Sequence, residues 1–175
     1  VHSRRQFAEA LKRYAARHHR ECSGGRERLE ITYQTVSSVT DPAAEVEVLT
    51  EQLRAHMESH QGAERASRMC LSGPHKDDLV ITIDGREAKS YSSQGQTRTA
   101  ALALKLAERE IYQNATGEYP VLLLDDVLSE LDPRRQEFVL NRIAGGQVFI
   151  TCCEDDRLPV LLGGKVFHVK QGAIG

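Results

Sequence analysis

Long hydrophobic runs, tryptophan and an excess of one charge are all missing from this sequence of 175 residues. No apolar run approaches the roughly 20 residues that a membrane-spanning helix needs, so none is predicted. Lys+Arg 23 and Asp+Glu 25 nearly balance, and the net charge is -2. A protein-wide basic field is therefore excluded, and any contact with nucleic acid requires a local patch. With 40% hydrophobic and 27% charged residues, the composition is typical of a folded globular chain.

Cysteine is scarce and forms no recognisable pattern. The four cysteines are Cys22, Cys70, Cys152 and Cys153. No pair has CxxC spacing, and no Cys/His cluster has the spacing of a zinc site. The sequence therefore predicts neither a disulfide framework nor a zinc site, and it favours a reducing, cytoplasmic setting.

The first 60 residues predict a helix, a strand and a second helix. Apolar residues recur at three- and four-residue steps from Ser3 to His19, which indicates an amphipathic helix. Alternation over Leu29–Gln34 predicts a strand. Asp41 and Pro42 are typical of a helix start, and we expect that helix to run to about Ser59.

The remainder of the chain alternates strands and helices. A hairpin turn is predicted at Asp84-Gly85 after an apolar strand, and an Ala/Leu-rich helix is predicted from Arg98 to Gln113. The other predicted elements are a buried strand at 121–124, a helix from Asp132 to Ile143, a strand at 147–151 and a third strand at 166–169. This order predicts an α/β unit with a mostly parallel sheet.

Two adjacent acids follow the apolar run 121–124. Asp125 and Asp126 stand at the predicted carboxyl end of a buried strand, where open α/β sheets bind ligands. A magnesium ion bridging phosphate oxygens is the usual partner for a carboxylate in that position. The plainer alternative is that one of the two acids only caps the following turn.

A small polar loop, residues 92–96, directly precedes the long helix. Exposed N–H groups and the helix dipole make such a helix start favourable for a phosphate, and Ser93 offers one more donor. Ordinary helix capping explains the same residues. Ser129 to Asp132 by themselves predict only a loop and a helix cap.

The order of these segments resembles the second half of an ATP-binding-cassette (ABC) ATPase. Ser93-Gln94-Gly95-Gln96 resembles the signature motif, Leu122 to Asp126 the Walker B strand, and Ser129 to Asp132 the D-loop. Together with Gly73 to Leu79 and Ala100 to Ala107, these stretches resemble the RecF family of DNA replication and repair proteins.

The resemblance implies a fold and a domain arrangement. We expect an α/β P-loop NTPase half-domain, like the heads of ABC and SMC proteins, with a mostly parallel sheet. Residues 1–70 would form part of a helical arm with a returning strand near 29–35. Residues 71–175 would form the carboxyl-terminal part of the ATPase head.

The resemblance also implies a function. RecF-like proteins are cytoplasmic DNA-binding ATPases of recombinational repair and replication restart. They form ATP-dependent homodimers on double-stranded and gapped DNA, and help to load recombinase at single-strand gaps with RecO and RecR. We expect ATP and Mg²⁺ as cofactors.

Site residues follow from the same resemblance. Asp125 would hold Mg²⁺, and Asp126 would orient or activate water, which makes both catalytic. DNA would contact the basic first helix, where residues 1–28 hold eight Arg or Lys against three Glu; a merely solvated helix face is the alternative. The ATP contacts, made in trans to nucleotide on the partner subunit, would be Ser93, Gln94, Gly95, Gln96, Ser129 and Asp132, and the DNA contacts Arg13, Arg17 and Arg20.

Three features depart from the family pattern. No GxxxxGK[ST] phosphate loop is present. Together with Val1 in place of Met, this leads us to expect a carboxyl-terminal portion of a longer protein that alone neither hydrolyses ATP nor binds it tightly. Asp126 stands where most of the superfamily has Glu, so we expect slow hydrolysis in the full-length protein. Cys152 stands where a γ-phosphate-sensing His often occurs, and Thr151 is a substitute candidate.

Three other functions fit parts of the sequence. A non-catalytic ATPase-like scaffold would lack magnesium-dependent dimerisation. The nucleotide subunit of a membrane transporter would not explain the helical arm. A magnesium-dependent phosphohydrolase that uses Asp125 and Asp126 in cis would leave the loops of Ser93 and Ser129 unexplained. For the polar stretch His75 to Asp78, a structural turn or a nucleotide-edge or DNA contact is favoured over catalysis.

Overall fold

The computed structural model describes residues 1–128, 131–153 and 164–174. It contains helices and short strands in the order expected of an α/β chain. The helices are α1 (His2–Cys22), α2 (Val46–Ser67), α3 (Ala88–Tyr91), α4 (Gln94–Thr116) and α5 (Pro133–Arg142). The strands are β1 (Leu29–Gln34), β2 (Asp78–Ile83), β3 (Arg86–Glu87), β4 (Leu122–Asp125), β5 (Val148–Thr151), β6 (Val169–Lys170) and β7 (Ala173–Ile174).

The chain divides into two compact units, Val1–Ile111 and Tyr112–Gly175. In the first unit, β1 and β2 pair antiparallel along their full length, from Leu29 opposite Ile83 to Gln34 opposite Asp78. β2 continues into β3 through the predicted hairpin at Asp84-Gly85, where both residues have positive φ, 51° and 78°. That conformation defines a type I′ turn, which matches the twist of paired strands.

Apolar faces of α1, α4 and the β1–β2 pair form the core of the first unit. The predicted 3.6-residue stripe of α1 buries Leu11 and Ala15, and the alternation in β1 buries Leu29 and Ile31. Ala100 and Ala107 of α4 join the same cluster. The recurring Ala and Leu residues give α4 the apolar face that this core requires.

The second helix begins later than the sequence predicts, at Val46 rather than at Asp41. The predicted start was wrong because Asp41 closes a tight turn instead. Its carboxylate accepts the N–H of Ala43 at 2.7 Å, and its carbonyl accepts the N–H of Ala44 at 3.1 Å. The helix then continues to Ser67, eight residues beyond the predicted end.

The second unit contains the parallel pair β4–β5. Leu122 lies opposite Val148 and Asp125 opposite Thr151. Leu122 and Leu124 are buried, whereas Leu123 is exposed. The buried residues Leu128, Leu131, Val139 and Ile143 belong to the same unit.

Parallel pairing is confirmed for β4 and β5, while β1–β3 form an antiparallel sheet. The predicted extent of the third strand, 166–169, was wrong, because β6 begins only at Val169 and pairs antiparallel with β7. Because β1 pairs with β2, the division between the two compact units falls within α4, after Ile111, rather than near residue 70. The assignment of 1–70 to an arm and 71–175 to a head stays a prediction.

Among the described helices, none has both the length and the apolar content that crossing a membrane requires.

Candidate functional site

The carboxyl ends of β4 and β5 hold the first candidate site. The register places Asp125 beside Thr151, and the Thr151 hydroxyl donates a hydrogen bond of 2.5 Å to Oδ1 of Asp125. The backbone N–H of Asp126 donates to both oxygens of Thr151, at 3.2 Å to the carbonyl and 3.0 Å to Oγ1. One threonine therefore fixes the positions of both predicted acids.

Asp126 has a backbone conformation that is unusual for a residue with a side chain. Its φ is 53°, in the left-handed region that non-glycine residues seldom adopt. The chain consequently turns sharply after β4, and both acidic residues are exposed to solvent. Such conformations cost free energy and persist only where the surrounding structure holds them, and they often occur at functional sites.

The strand end offers the kind of ligand that magnesium prefers. Mg²⁺ binds oxygen ligands and is usually held by one or two carboxylates together with phosphate oxygens. Asp125 supplies such a carboxylate at an exposed strand end. Within the described ranges, no group of three or more His, Cys, Asp or Glu side chains surrounds a possible metal position. The residues present therefore fit a magnesium ion that takes some of its oxygen ligands from a bound phosphate. They do not supply a complete set of ligands by themselves.

The second candidate site is the amino-terminal end of α4. Ser93 precedes the helix, and its hydroxyl accepts the N–H of Gln96 at 3.2 Å, while Oε1 of Gln96 accepts the N–H of Ser93 at 2.9 Å. This reciprocal pair is a capping box. Gln94 is exposed, and Gly95 and Gln96 are partly exposed. The four predicted signature residues are thus adjacent at an accessible helix end, where the dipole favours an anion.

Two threonines strengthen this helix end. Thr97 Oγ1 donates to the Ser93 carbonyl at 3.1 Å and lies 2.8 Å from the Ser92 hydroxyl. Thr99 is fully buried and donates to the Gly95 carbonyl at 2.7 Å. These bonds hold the loop and the first helical turn in one arrangement before any ligand arrives.

Asp132, the last predicted D-loop residue, is the N-cap of α5. Its carboxylate accepts the N–H of Arg135 at 3.1 Å and forms an ion pair of 3.2 Å with the Arg135 guanidinium. The sequence-predicted helix start at Asp132-Pro133 is confirmed. Ser129, also predicted at this site, lies outside the described residues.

The three arginines predicted to contact DNA differ in their surroundings. Arg17 forms an ion pair with Glu110 of α4. Arg13 lies over the ring of Tyr14, at 4.9 Å from its centroid. Arg20 is exposed and, with Arg17, Glu21, Gly24 and Gly25, lines a cavity of about 330 Å³.

Glu110 is a structural residue that the sequence reasoning missed. Its carboxylate accepts from Arg17 and lies 3.0 Å from Nε2 of the buried His18. Burial acts to raise the pKa of Glu110, but the hydrogen bonds and charges of Arg17 and His18 together outweigh it, so the pKa is lower than the ordinary 4.5. Because Glu108 stands in the same Ala/Leu-rich helix, no local sequence signal distinguishes Glu110.

Comparison with known proteins assigns the chain to a family. It is 42% identical over 174 residues to the DNA replication and repair protein RecF of Symbiobacterium thermophilum, a match that covers 95% of the chain and 46% of that protein. The chain belongs to the RecF family. The RecF of Bacillus subtilis is 39% identical over 177 residues, which cover 99% of the chain and 47% of that protein. The chain thus spans about half the length of the curated relatives it matches.

Solved structures agree with this assignment. One RecF structure, a recombination mediator protein of the RecFOR pathway described as RecF-ATPrS, matches with a TM-score of 0.80 and 37% identity over 98% of the chain and 45% of that protein. A second, described as RecF-ATP, matches with a TM-score of 0.79 and 36% identity, over 99% of the chain and 45% of that protein. No family model matches the chain. At this identity, the α/β fold of the chain is that of RecF structures.

Proposed function

We propose that the protein to which this chain belongs is a DNA-binding ATPase of recombinational repair and replication restart. It acts in the cytoplasm as an ATP-dependent homodimer that helps to load recombinase at single-strand gaps. The observation that carries this proposal is the paired acidic strand end, in which Thr151 fixes both Asp125 and Asp126 beside a parallel strand. The match to RecF structures described with ATP and ATPrS supports the choice of nucleotide.

We assign Asp125 to magnesium and Asp126 to the attacking water. Magnesium, when bound, neutralises charge on the phosphate oxygens. Asp125 keeps one orientation because the Thr151 hydroxyl binds its Oδ1. The left-handed backbone at Asp126 turns the chain away from the strand, so the carboxylates of Asp125 and Asp126 can serve two different positions. Asp126 is shorter by one methylene than the Glu that most of the superfamily has there. Because its carboxylate would position the attacking water less well, we propose slow hydrolysis.

In this proposal, the signature residues contact the γ-phosphate of a nucleotide that the other subunit holds. These residues are Ser93, Gln94, Gly95 and Gln96. The helix dipole favours the anion, and the Ser93 hydroxyl can donate its proton while its oxygen accepts the Gln96 N–H. We place Ser129 and Asp132 at the same dimer interface.

DNA would bind along α1. Arg13 and Arg20 are exposed there, and phosphate contacts by such side chains need no particular base sequence. RecO and RecR are the proposed protein partners, because relatives act in the RecFOR pathway. The second candidate is a non-catalytic scaffold. It is favoured by one observation: the sequence contains no phosphate loop, which this chain alone would need in order to bind MgATP.

Sedimentation of the full-length protein with and without MgATP tests the proposal. We expect dimers with MgATP, and monomers when Mg²⁺ is chelated. Ser93→Asp keeps a competent N-cap but places a negative charge where the γ-phosphate would bind. It should abolish the dimer, as should Asp125→Asn. Glu118→Gln, at an exposed acid of the unit that contains Asp125, should not. Dimers that form equally without Mg²⁺, or that survive Ser93→Asp, would favour the scaffold.

A further inference from the structure

Two adjacent cysteines follow the carboxyl end of β5, and none of the proposed nucleotide or DNA contacts uses them. Cys152 and Cys153 are both exposed, and each has a free thiol. Of the two other cysteines, Cys22 is buried, and the Cys70 thiol donates to the Ser72 carbonyl at 3.2 Å. Cys152 and Cys153 are therefore the pair that the covalent chain itself holds side by side in contact with solvent.

Their position after β5 connects these cysteines with both acids of the candidate magnesium site. β5 ends at Thr151, whose register partner is Asp125. The Thr151 carbonyl accepts the Asp126 N–H at 3.2 Å, while its hydroxyl accepts the same N–H at 3.0 Å and donates to Asp125. This carbonyl belongs to the peptide group that joins Thr151 to Cys152. Any reorientation of that peptide group therefore moves an acceptor of Asp126.

The peptide bond between the two cysteines lies outside the β4–β5 ladder. The last paired residues are Asp125 and Thr151. Cys152 belongs to no helix or strand, and Cys153 lies in a bend. A change in the conformation of residues 152–153 therefore breaks no strand pair, although it acts directly on the last pair of the ladder.

A disulfide between adjacent residues is strained and is readily reduced. Consecutive Cα atoms are about 3.8 Å apart across a trans peptide, whereas the two Cα atoms of an ordinary disulfide are usually about 4.4 to 6.8 Å apart. Closing a ring over Cys152 and Cys153 must consequently turn or distort the peptide group between them. Strained and exposed disulfides are the labile, regulatory ones, and disulfides in reducing compartments are usually transient.

A bound metal explains the two thiols less well than oxidation does. Across the part of the chain that the structure describes, no group of three or more His, Cys, Asp or Glu side chains could hold a metal ion. Two adjacent thiols alone fall short of the tetrahedral ligand set of a structural zinc. An accessible cysteine with a second cysteine beside it is instead typical of redox sensors, in which the second thiol resolves the sulfenic acid of the first.

We propose that Cys152 and Cys153 form a reversible disulfide with each other when the protein reacts with a hydroperoxide, and that this bond displaces the Thr151 carbonyl from Asp126. One thiolate attacks a peroxide oxygen, and the O–O bond breaks to leave a sulfenic acid and an alcohol, or water from hydrogen peroxide. The other thiolate attacks the sulfenic sulfur, the S–O bond breaks and water leaves. The two thiols lose two electrons, the peroxide gains them, and both thiol protons end in the alcohol and water.

The consequence for magnesium rests on the proposed function. Ring closure moves the Thr151 carbonyl, which weakens one acceptor of the Asp126 N–H and shifts the hydroxyl that holds Asp125. The Mg²⁺ concentration needed for ATP-dependent dimerisation should therefore rise roughly threefold or more. A dithiol reductant should reverse this change, because it opens the ring.

Brief treatment of the full-length protein with hydrogen peroxide, without nucleotide, tests the bond itself. The tryptic peptide 143–157 contains Cys152 and Cys153 and no other cysteine. We expect mass spectrometry to show this peptide lighter by two hydrogen atoms and closed to alkylation, with both thiols restored by a dithiol reductant. The NMR chemical shift of the Asp126 amide should move on oxidation and return on reduction.

Four results of this treatment would overturn the proposal. The peptide could keep two thiols that alkylate, carry only sulfinic or sulfonic acid, or be linked to a cysteine outside the pair. The ring could also form and leave the Asp126 amide shift unchanged, which would show that it does not act on the strand end.

Cysteine variants test the effect on dimerisation. Cys153→Ser should form no ring, and after the same treatment it should keep the Mg²⁺ requirement of the reduced protein. Cys70→Ser removes an exposed cysteine outside the pair, so it should respond to peroxide as the wild type does. If peroxide raises the Mg²⁺ requirement of Cys153→Ser as much as that of the wild type, the ring does not cause the effect.

Asp125→Asn distinguishes a failure of this proposal from a failure of the proposed function. If untreated Asp125→Asn protein dimerises with MgATP as the wild type does, the assignment of Asp125 to magnesium is wrong. The mass of peptide 143–157 and the shift of the Asp126 amide still decide whether the ring forms and reaches the strand end, because neither measurement requires nucleotide or magnesium.

Discussion

The Thr151 hydroxyl donates its hydrogen bond to the carboxylate of Asp125, the residue directly opposite in the parallel β4–β5 register. The same threonine accepts the N–H of Asp126. The residue that the sequence suggested only as a substitute for a phosphate-sensing histidine therefore positions both proposed catalytic acids. Cys152, which follows it, is exposed.

Replacing Thr151 tests this positioning role. Thr151→Val removes the hydroxyl but keeps the backbone carbonyl, which also accepts the Asp126 N–H. We expect the free energy of unfolding to fall by only about 1 kcal/mol, while the Mg²⁺ concentration needed for ATP-dependent dimerisation rises roughly tenfold. Thr151→Ser should restore the wild-type requirement. Denaturant melts and sedimentation at several Mg²⁺ concentrations measure the two effects, and an unchanged requirement in Thr151→Val would contradict the role.

Glu110 should make stability depend on pH in the acid range. Because its pKa in the folded chain is below the ordinary 4.5, its stabilisation is fully present above that value and is lost as the pH falls through the lowered pKa. Glu110→Gln should lower the free energy of unfolding at pH 7 by about 1 to 2 kcal/mol and reduce the loss of stability on acidification.

Urea unfolding at pH 7 and at acid pH measures the Glu110 effect. The matched control is Glu108→Gln, which removes an exposed partner of Lys105 on the same helix. Surface pairs of this kind contribute about 0 to 1 kcal/mol, so the control should change little. If the two variants change the free energy of unfolding equally, the contacts of Glu110 with Arg17 and His18 stabilise the fold no more than an exposed ion pair does.

His56 should make stability fall as the pH decreases from neutral. It is buried, its Nδ1 lies 2.7 Å from the Ser72 hydroxyl, and its ring stacks on His60 at 3.9 Å. Burial lowers its pKa, and the charge of His60 lowers it further. For a lowered histidine pKa, the stabilisation is complete above the ordinary 6.5 and is lost toward the lowered value.

Thermal melts between neutral pH and pH about 5 measure the His56 effect. His56→Gln should flatten the decline in melting temperature, because glutamine does not take up a proton. The exposed His2 serves as the control position, and His2→Gln should retain the wild-type slope. If the melting temperature of His56→Gln declines with pH as steeply as that of the wild type, His56 does not cause the decline.

Charge reversal on α1 should separate DNA contact from folding. Arg13→Glu and Arg20→Glu should each weaken binding to duplex DNA and lower the slope of log affinity against log salt by about 1. Arg17→Glu should also reduce stability, because it places a second carboxylate beside Glu110. Fluorescence anisotropy at several salt concentrations gives the slopes. Arg54→Glu on α2 is the control, and an unchanged slope in Arg13→Glu and Arg20→Glu would argue against DNA binding along α1.

Short-range patterns predicted much of the local structure. The extent of β1, the Asp84-Gly85 hairpin and the cap at Asp132 follow from alternation, turn chemistry and capping preference. The start of α2 was wrong because Asp41 has two uses, in a turn or as a cap, and the local sequence does not decide between them. Ordinary capping was the alternative given for the loop at Ser93, and the S-x-x-Q spacing of Ser93 and Gln96 could have specified it further as a capping box.

The order of elements, the family resemblance and the acids at Asp125 and Asp126 were available from the sequence alone, because each depends on residues that are close together along the chain. Tertiary structure alone decided that Thr151 holds Asp125, that Arg17 reaches Glu110 and that the Tyr33 hydroxyl donates to Asp77. These partners are 26, 93 and 44 positions apart. Strand register and helix packing, which depend on the whole core, bring such residues together.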